Sequence, residues 1–209
     1  MLESPTLSPQ IEQLLVDMAA HGYAMMDHWL SESEILTLHN EALALQDAQQ
    51  LTAAGTGEHK QLHQEIRGDA IHWLEPALAS AAQQSYLDKM QALQSCLNAH
   101  FFLGLFEFET HFAVYPPGAV YRKHLDQLRG SDARQVSAIL YLNPGWTSAD
   151  GGALRLYLDD QAEPSELDIL PIAGRLVVFL SGRFFHEVLP SRRQRVSLTG
   201  WFRTRSRLP

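Results

Sequence analysis

His124 and Asp126 stand two residues apart at the end of Val120–Leu125, a run with strand character. A period of two turns both side chains to one face of a sheet, close enough to chelate one ion. A second histidine, His186, comes 60 residues after Asp126, behind the apolar run Arg175–Leu180 and its turn. Two imidazoles and one carboxylate form the facial triad, which leaves three positions on octahedral iron(II) open for a co-substrate and oxygen. The His-x-Asp pair alone is a weak signal in a chain with ten histidines. Arg195, nine residues after His186, strengthens it. Arginine is permanently charged and clamps a carboxylate through two parallel hydrogen bonds. In Arg195-Val196-Ser197-Leu198-Thr199-Gly200-Trp201, alternation places Arg195, Ser197, Thr199 and Trp201 on one face. An arginine sharing a face with Trp201 suits a sandwich interior only if an anion enters. The alternative is an edge-strand arginine facing solvent, one of several between Arg192 and Arg207.

The elements that must position these residues divide the chain in two. Ser8 and Pro9 read as an N-cap and first-turn pair before Ile11, Leu14, Leu15 and Met18 at helical spacing. Ser31 and Glu34 form a capping box ahead of a second helix, with a short strand over Gly22–Met26 between the two. Gln46–Gln64, rich in Gln, Gly, Thr and Ala, reads as a loop, and a third helix is predicted over Pro76–His100. Beyond Phe106 the runs Glu107–Tyr115, Val120–Leu125, Val136–Leu142, Ala153–Leu158, Leu176–Leu180 and Val196–Arg203 read as strands separated by Pro/Gly/Asn turns. Helices followed by many short strands predict an α+β chain whose second half is a sandwich or barrel. We expect a single domain over 1–209, with helical support and a substrate loop in 1–105 and the catalytic β half in 106–205.

The chain of 209 residues carries 16 Lys+Arg against 24 Asp+Glu, a net −8, with nine Phe, four Trp and one cysteine. That composition excludes a disordered chain, a disulfide scaffold and a thiolate zinc site. The first twenty residues show no signal peptide and no run approaches a membrane span, so a cytoplasmic protein without membrane contact is expected. From Arg175 to Pro209 eight arginines face one acid, giving +7 against −15 for the rest. A polyanion-binding groove would need stacking aromatics interleaved with the basic residues, which the tail lacks, so no nucleic acid is expected.

The order His-x-Asp, about sixty residues, His, nine residues, Arg resembles the iron(II)/2-oxoglutarate dioxygenases. Within them the chain resembles the prolyl 4-hydroxylases and hypoxia-inducible-factor prolyl hydroxylases, as a bacterial relative. The stretches that carry the resemblance are Ile66-Arg67-Gly68-Asp69-Ala70-Ile71-His72-Trp73, Tyr115-Pro116, Tyr121-Arg122-Lys123-His124-Leu125-Asp126, Tyr141-Leu142-Asn143, Gly151-Gly152-Ala153-Leu154-Arg155, and His186-Glu187-Val188 through Trp201-Phe202. The resemblance implies a double-stranded β-helix (jelly roll) with N-terminal supporting helices, Fe(II) on His124, Asp126 and His186, and 2-oxoglutarate and O2 as co-substrates with ascorbate as reductant. The 5-carboxylate of 2-oxoglutarate would reach Arg195 and Tyr141. Tyr115 would lie beside the iron-proximal end, Thr199 and Leu154 would line the co-substrate pocket, and Trp201 would close the site. Ordinary core packing with a satisfied polar tip is the competing role for Tyr115, Tyr141 and Trp201. The implied reaction is oxidative decarboxylation of 2-oxoglutarate to succinate coupled to hydroxylation. Asp126 keeps the carboxylate that related halogenases lack.

For the substrate, the resemblance implies a proline in a protein, with elongation factor Tu as a candidate, acted on by a monomer. The alternatives are a small-molecule hydroxylase with a different lid, a nucleic-acid demethylase, and a non-catalytic module that senses oxygen or 2-oxoglutarate. Elsewhere, His59 and His63 are spaced for a helical metal pair but lack a third ligand. Asp69, in Arg67-Gly68-Asp69, is a candidate partner for an arginine that fixes the substrate loop. His21, His28, His39, His72, His100 and His111 read as surface or core residues, and Cys96 as a small buried hydrophobe.

Overall fold

In a computed structural model of the chain, the described residues are 8–55, 65–127, 133–158 and 165–205. Three helices and eleven strands form among them: α1 Pro9–His21, β1 Tyr23–Met26, α2 Glu32–Asp47, β2 Thr52–Ala53, β3 Ala70–Trp73, α3 Ala81–Phe101, β4 Glu107–Tyr115, β5 Tyr121–His124, β6 Arg134–Tyr141, β7 Leu154–Leu158, β8 Ser165–Ile169, β9 Leu176–Leu180, β10 His186–Val188 and β11 Arg195–Arg203. His59, His63 and the later part of the Gln46–Gln64 loop lie outside the described residues.

The helix boundaries follow local chemistry. The Ser8 hydroxyl accepts from the Ile11 amide, and Gly22 closes α1 at φ +81°, where a side chain would be strained. The Ser31–Glu34 box forms as expected, each residue bonding the other's backbone amide. The third helix starts later than its periodicity implied. Pro76–Leu78 is a separate single 3-10 turn, and Ser80 caps the real start by accepting from Gln83 N. No described helix is long and apolar enough to cross a membrane.

Two antiparallel sheets face one another. The major sheet runs β1-β9-β6-β11-β4-β3-β2 and the minor one β5-β10-β7-β8, the layered arrangement of a jelly roll. One face of the major sheet carries Phe112, Val114, Val136, Leu140, Val178, Val196, Leu198 and Phe202 against Leu14, Leu38, Met90, Leu93 and Leu97 of the helices. Burying that much apolar side chain, at roughly 1.5–3 kcal/mol each, is what fixes the helical layer. Cys96 is only partly buried at the margin of this core, so it is a less enclosed residue than its neighbours suggested. The opposite face of the sheet looks toward the minor sheet and carries the chemistry.

Candidate active site

Pairing register sets the metal ligands side by side. His124 on β5 and His186 on β10 are direct cross-strand partners, with ring centroids 4.2 Å apart. Asp126 sits just past the end of β5, in a bend rather than in the strand, and still turns to the same point. His124 Nε2 lies 3.5 Å from Asp126 Oδ1, and His186 Nε2 lies 3.5 Å from Oδ2. The donor atoms of the three residues all fall within 4.8 Å of one another.

The surroundings select the protonation state a metal needs. His124 Nδ1 is 2.7 Å from the Arg122 carbonyl, and His186 Nδ1 is 3.1 Å from the Phe184 carbonyl. A carbonyl only accepts, so each Nδ1 carries the proton and each Nε2 lone pair is left facing the centre. Burial alone would raise the Asp126 carboxyl, but His186, His124 and the Ser137 hydroxyl, 2.6 Å from Oδ2, outweigh it and hold the group ionised far below the usual carboxylate range. Burial holds His186 down at about 4 despite the pull of Asp126, so it is neutral at neutral pH. Two imidazole nitrogens with an ionised carboxylate make a donor set that fits iron(II).

Arg195 is the other anchor. It lies on β11 between β4 and β6, is 2% exposed, and therefore does not face solvent at a sheet edge. Its Nε donates to the Gly152 carbonyl at 3.0 Å, while Nη2 is buried without a partner. The carbonyl reaches the arginine because residue 152 is glycine. A Cβ there would stand 2.8 Å from Ser191 Cβ, and φ is +70°. Asn143 locks the strand alongside, accepting from Val196 N at 2.7 Å and donating to the Pro171 carbonyl. The Tyr141 ring lies 4.9 Å from Arg195 Cζ, and its buried hydroxyl also lacks a partner. Burial raises that hydroxyl's pKa, so it remains a neutral donor beside the guanidinium. A buried guanidinium with an unpartnered Nη2 beside a phenol can receive a carboxylate.

The register orders the cavity wall in rows. Tyr115 pairs with Arg195; Ile71, Ala113, Ser197 and Tyr141 follow; then Trp73, His111, Thr199 and Ile139; then Glu109, Trp201 and Ser137. Leu154, Thr199, Trp201 and Tyr115 line the same cavity, of about 30 Å³, as the triad and Arg195. Tyr115 stands directly opposite Arg195, with its ring 5.2 Å from Cζ, and its hydroxyl, raised well above its usual pKa by burial, also feels Asp69 and Arg67. Eight of the nine residues singled out in the sequence thus share one cavity, and the ninth, Tyr141, lies outside its lining and packs against Arg195.

Several contributors were not legible. Asp69 does find its arginine, and it is Arg67, two residues away, bonded at 2.8 and 3.0 Å. Arg67 lies over the Tyr121 ring, which stacks on His124 at 3.5 Å, so the segment before β3 bears on a metal ligand through two flat contacts. Ser137 and Ser181, 2.9 Å apart, steady Asp126. His111, read as an ordinary surface or core histidine, forms part of the cavity wall. The arginines of the basic tail are largely engaged one by one: Arg175 with Asp27, Arg193 with Asp150, and Arg203 with Glu107 and Glu109.

Comparison with known proteins agrees with this geometry. A family model described as the 2OG-Fe(II) oxygenase superfamily matches residues 110–203. A crystal structure of a Pseudomonas putida prolyl-4-hydroxylase is 47% identical, with a TM-score of 0.84 over 93% of this chain and 99% of that one. A Trichoplax adhaerens prolyl hydroxylase, solved with a peptide fragment of the hypoxia-inducible-factor oxygen degradation domain, is 27% identical with a TM-score of 0.83, covering 92% of this chain and 88% of that one. A hypoxia-inducible factor prolyl hydroxylase of Caenorhabditis elegans is 28% identical in an alignment of 207 positions that covers 93% of this chain; the chain spans only 28% of that relative's length.

Proposed function

The chain belongs to the prolyl hydroxylases of the 2OG-Fe(II) oxygenase superfamily and is a dioxygenase; from that premise we propose that it hydroxylates a proline within a protein substrate. The observation that carries this reading is the convergence on one cavity of the His124–Asp126–His186 cluster and the buried Arg195 guanidinium with its unpartnered Nη2. When bound, iron(II) with 2-oxoglutarate and O2 supplies the oxidising chemistry, one oxygen atom entering a substrate C–H bond, the other leaving in succinate, with release of CO2.

The protein's part is to bind, orient and exclude water. His124 and His186 offer Nε2, and Asp126 offers its carboxylate, held by Ser137. Arg195 and Tyr141 receive the 5-carboxylate of 2-oxoglutarate, and Leu154 and Thr199 flank it. Tyr115, its ring 5.2 Å from Arg195 Cζ, is the residue for the iron-proximal end of the co-substrate. Trp201, 4% exposed, closes the wall beside the triad and keeps the cavity dry. A peptide substrate is supported by the likeness to a hydroxylase solved with a peptide bound, and elongation factor Tu is the candidate protein.

Purified protein with Fe(II), ascorbate and 2-oxoglutarate should release succinate faster when proline-containing peptides are added, and not when free amino acids are. Mass spectrometry should find +16 on a proline of elongation factor Tu incubated with it. Stimulation by free amino acids alone would replace the peptide reading with a small-molecule one.

A further inference from the structure

One side chain of the cavity wall is explained neither by a metal nor by a dicarboxylate. His111 lies in the middle of β4, is 1% exposed, and has no hydrogen-bond partner on either Nδ1 or Nε2. It is not part of the His124–Asp126–His186 cluster, and it stands two rows from Arg195. Trp73 from β3 meets its ring edge-on with centroids 4.7 Å apart, and Trp201 from β11 lies at 5.5 Å, tilted by 36°. The Trp201 Nε1, a donor only, is likewise buried without a partner.

Buried polar atoms nearly always have partners, and an unmet one weakens the fold. Between two indoles, a leucine or methionine would pack as well and leave nothing unmet. Two bare imidazole nitrogens beside a bare indole N–H therefore mark a place where a ligand completes the bonding. Burial, reinforced by the charges of Arg67 and Arg134, lowers the His111 pKa to about 3, so the ring is neutral at working pH. A neutral imidazole offers one N–H and one lone pair, which rules out a role as counter-ion to the co-substrate's carboxylates.

The remaining ligand is the substrate, and here the inference rests on the prolyl reading proposed above. A proline has no backbone N–H, so the polar atoms flanking its ring are carbonyl oxygens, acceptors only. Two adjacent neutral donors match that chemistry. We propose that His111 is a specificity-determining residue, its imidazole N–H donating to a carbonyl oxygen that flanks the target proline, with Trp201 Nε1 as the second donor. A peptide whose carbonyl enters the cavity satisfies both; a ligand without that acceptor leaves them unpaired, which is how a buried donor rejects the wrong molecule.

The test compares His111→Leu and His111→Gln with the wild type, using a pool of Ac-XXXX-Pro-XXXX-NH2 peptides. The readout is the ratio of peptide-coupled to peptide-free succinate release, so a general loss of folded enzyme cancels, together with +16 on proline by mass spectrometry. We expect the ratio to fall at least tenfold in His111→Leu, with the loss in KM for peptide, and to recover in large part in His111→Gln. We also expect His111→Leu to melt at or above the wild-type temperature, since it removes two unmet nitrogens; should it fail to fold, His111→Met serves the same comparison. An unchanged ratio, or an equal fall in His111→Leu and His111→Gln, overturns the proposal and leaves the prolyl reading standing. A wild type that releases succinate but modifies no proline in the pool overturns the prolyl reading and this inference with it.

Discussion

Along β11, Val196, Leu198 and Phe202 enter the apolar core beneath the helices, while Arg195, Ser197, Thr199 and Trp201 turn toward the cavity. The two faces are equally hidden from water: Leu198 is 0% exposed and Arg195 2%. They differ in how their polar atoms are treated. The helical face has few: the Tyr86 hydroxyl meets Thr110 Oγ1 at 3.3 Å, and Trp29 Nε1 is buried there without a partner. The cavity face leaves Arg195 Nη2, Tyr141 Oη, Trp201 Nε1 and both nitrogens of His111 without partners. Each such atom costs roughly 1–3 kcal/mol of stability. One face of the sheet therefore stabilises the molecule and the other draws on that stability to keep donors ready for ligands.

Substitutions on either face can break this contrast. The largest effect belongs to the triad: Asp126→Ala should lower succinate release by more than about a thousandfold, on the scale of losing an essential catalytic group, and should abolish Co(II) binding measured by absorbance. On the helical face, Leu198→Ala should destabilise by about 2–5 kcal/mol in urea unfolding, the range for truncating a buried leucine. Its requirement for 2-oxoglutarate should stay at the wild-type level wherever the protein is folded. Arg195→Met should do the reverse. The apparent KM for 2-oxoglutarate should rise by about 10–100-fold, the loss of a charged hydrogen-bonding pair at about 1.5–3 kcal/mol. The melting temperature should hold or rise, because a buried charge is replaced by an apolar side chain of similar volume; a Tm drop matching that of Leu198→Ala would erase the contrast.

The last effect is nil at neutral pH and grows only on acidification. His111 takes up a proton at about 3 in the folded chain against an ordinary value of 6.5. Between those values the unfolded state binds the extra proton, so stability declines as pH falls from about 6.5 toward 3, by up to about 1.4 kcal/mol per pH unit. His186, at about 4, adds to the same decline. Urea midpoints measured down this range should fall less steeply in His111→Leu; an identical slope would mean that His111 is already charged when folded.

The ligands and the clamp were readable because their chemistry is carried by residue type and order. His124, Asp126, His186 and Arg195 keep a fixed spacing, and alternation alone puts Arg195, Ser197, Thr199 and Trp201 on one face. His111 was not readable. Nothing in Glu109-Thr110-His111-Phe112 says which neighbours a histidine will meet, and its meaning depends on Trp73 and Trp201, brought beside it by pairing across 38 and 90 residues of chain. Ser137 is equally silent until β6 is set beside the bend that carries Asp126. Strand β10, three residues long, and strand β8, polar on alternate positions, are too short or too plain to announce themselves, and only their partners define them. The Gly152 carbonyl reaches Arg195 only because the glycine's backbone conformation allows it.

The place of β11 also sets an order in time. It is the last of the described strands, yet it lies in the interior of the major sheet, between β6 and β4. As the chain leaves the ribosome, β4 waits for its partner through about 80 further residues, roughly 4–16 s at ordinary elongation rates. Until then the sheet has no centre, Arg195 has no strand to stand on, and β4 and β6 expose unpaired edges of the kind that pair with other chains. Pairing over such distances folds slowly. Nascent chains stalled before residue 195 should therefore depend on chaperones, and the metal ligands, though all synthesised by residue 186, should not form a binding site until β11 has zipped the two halves of the sheet together.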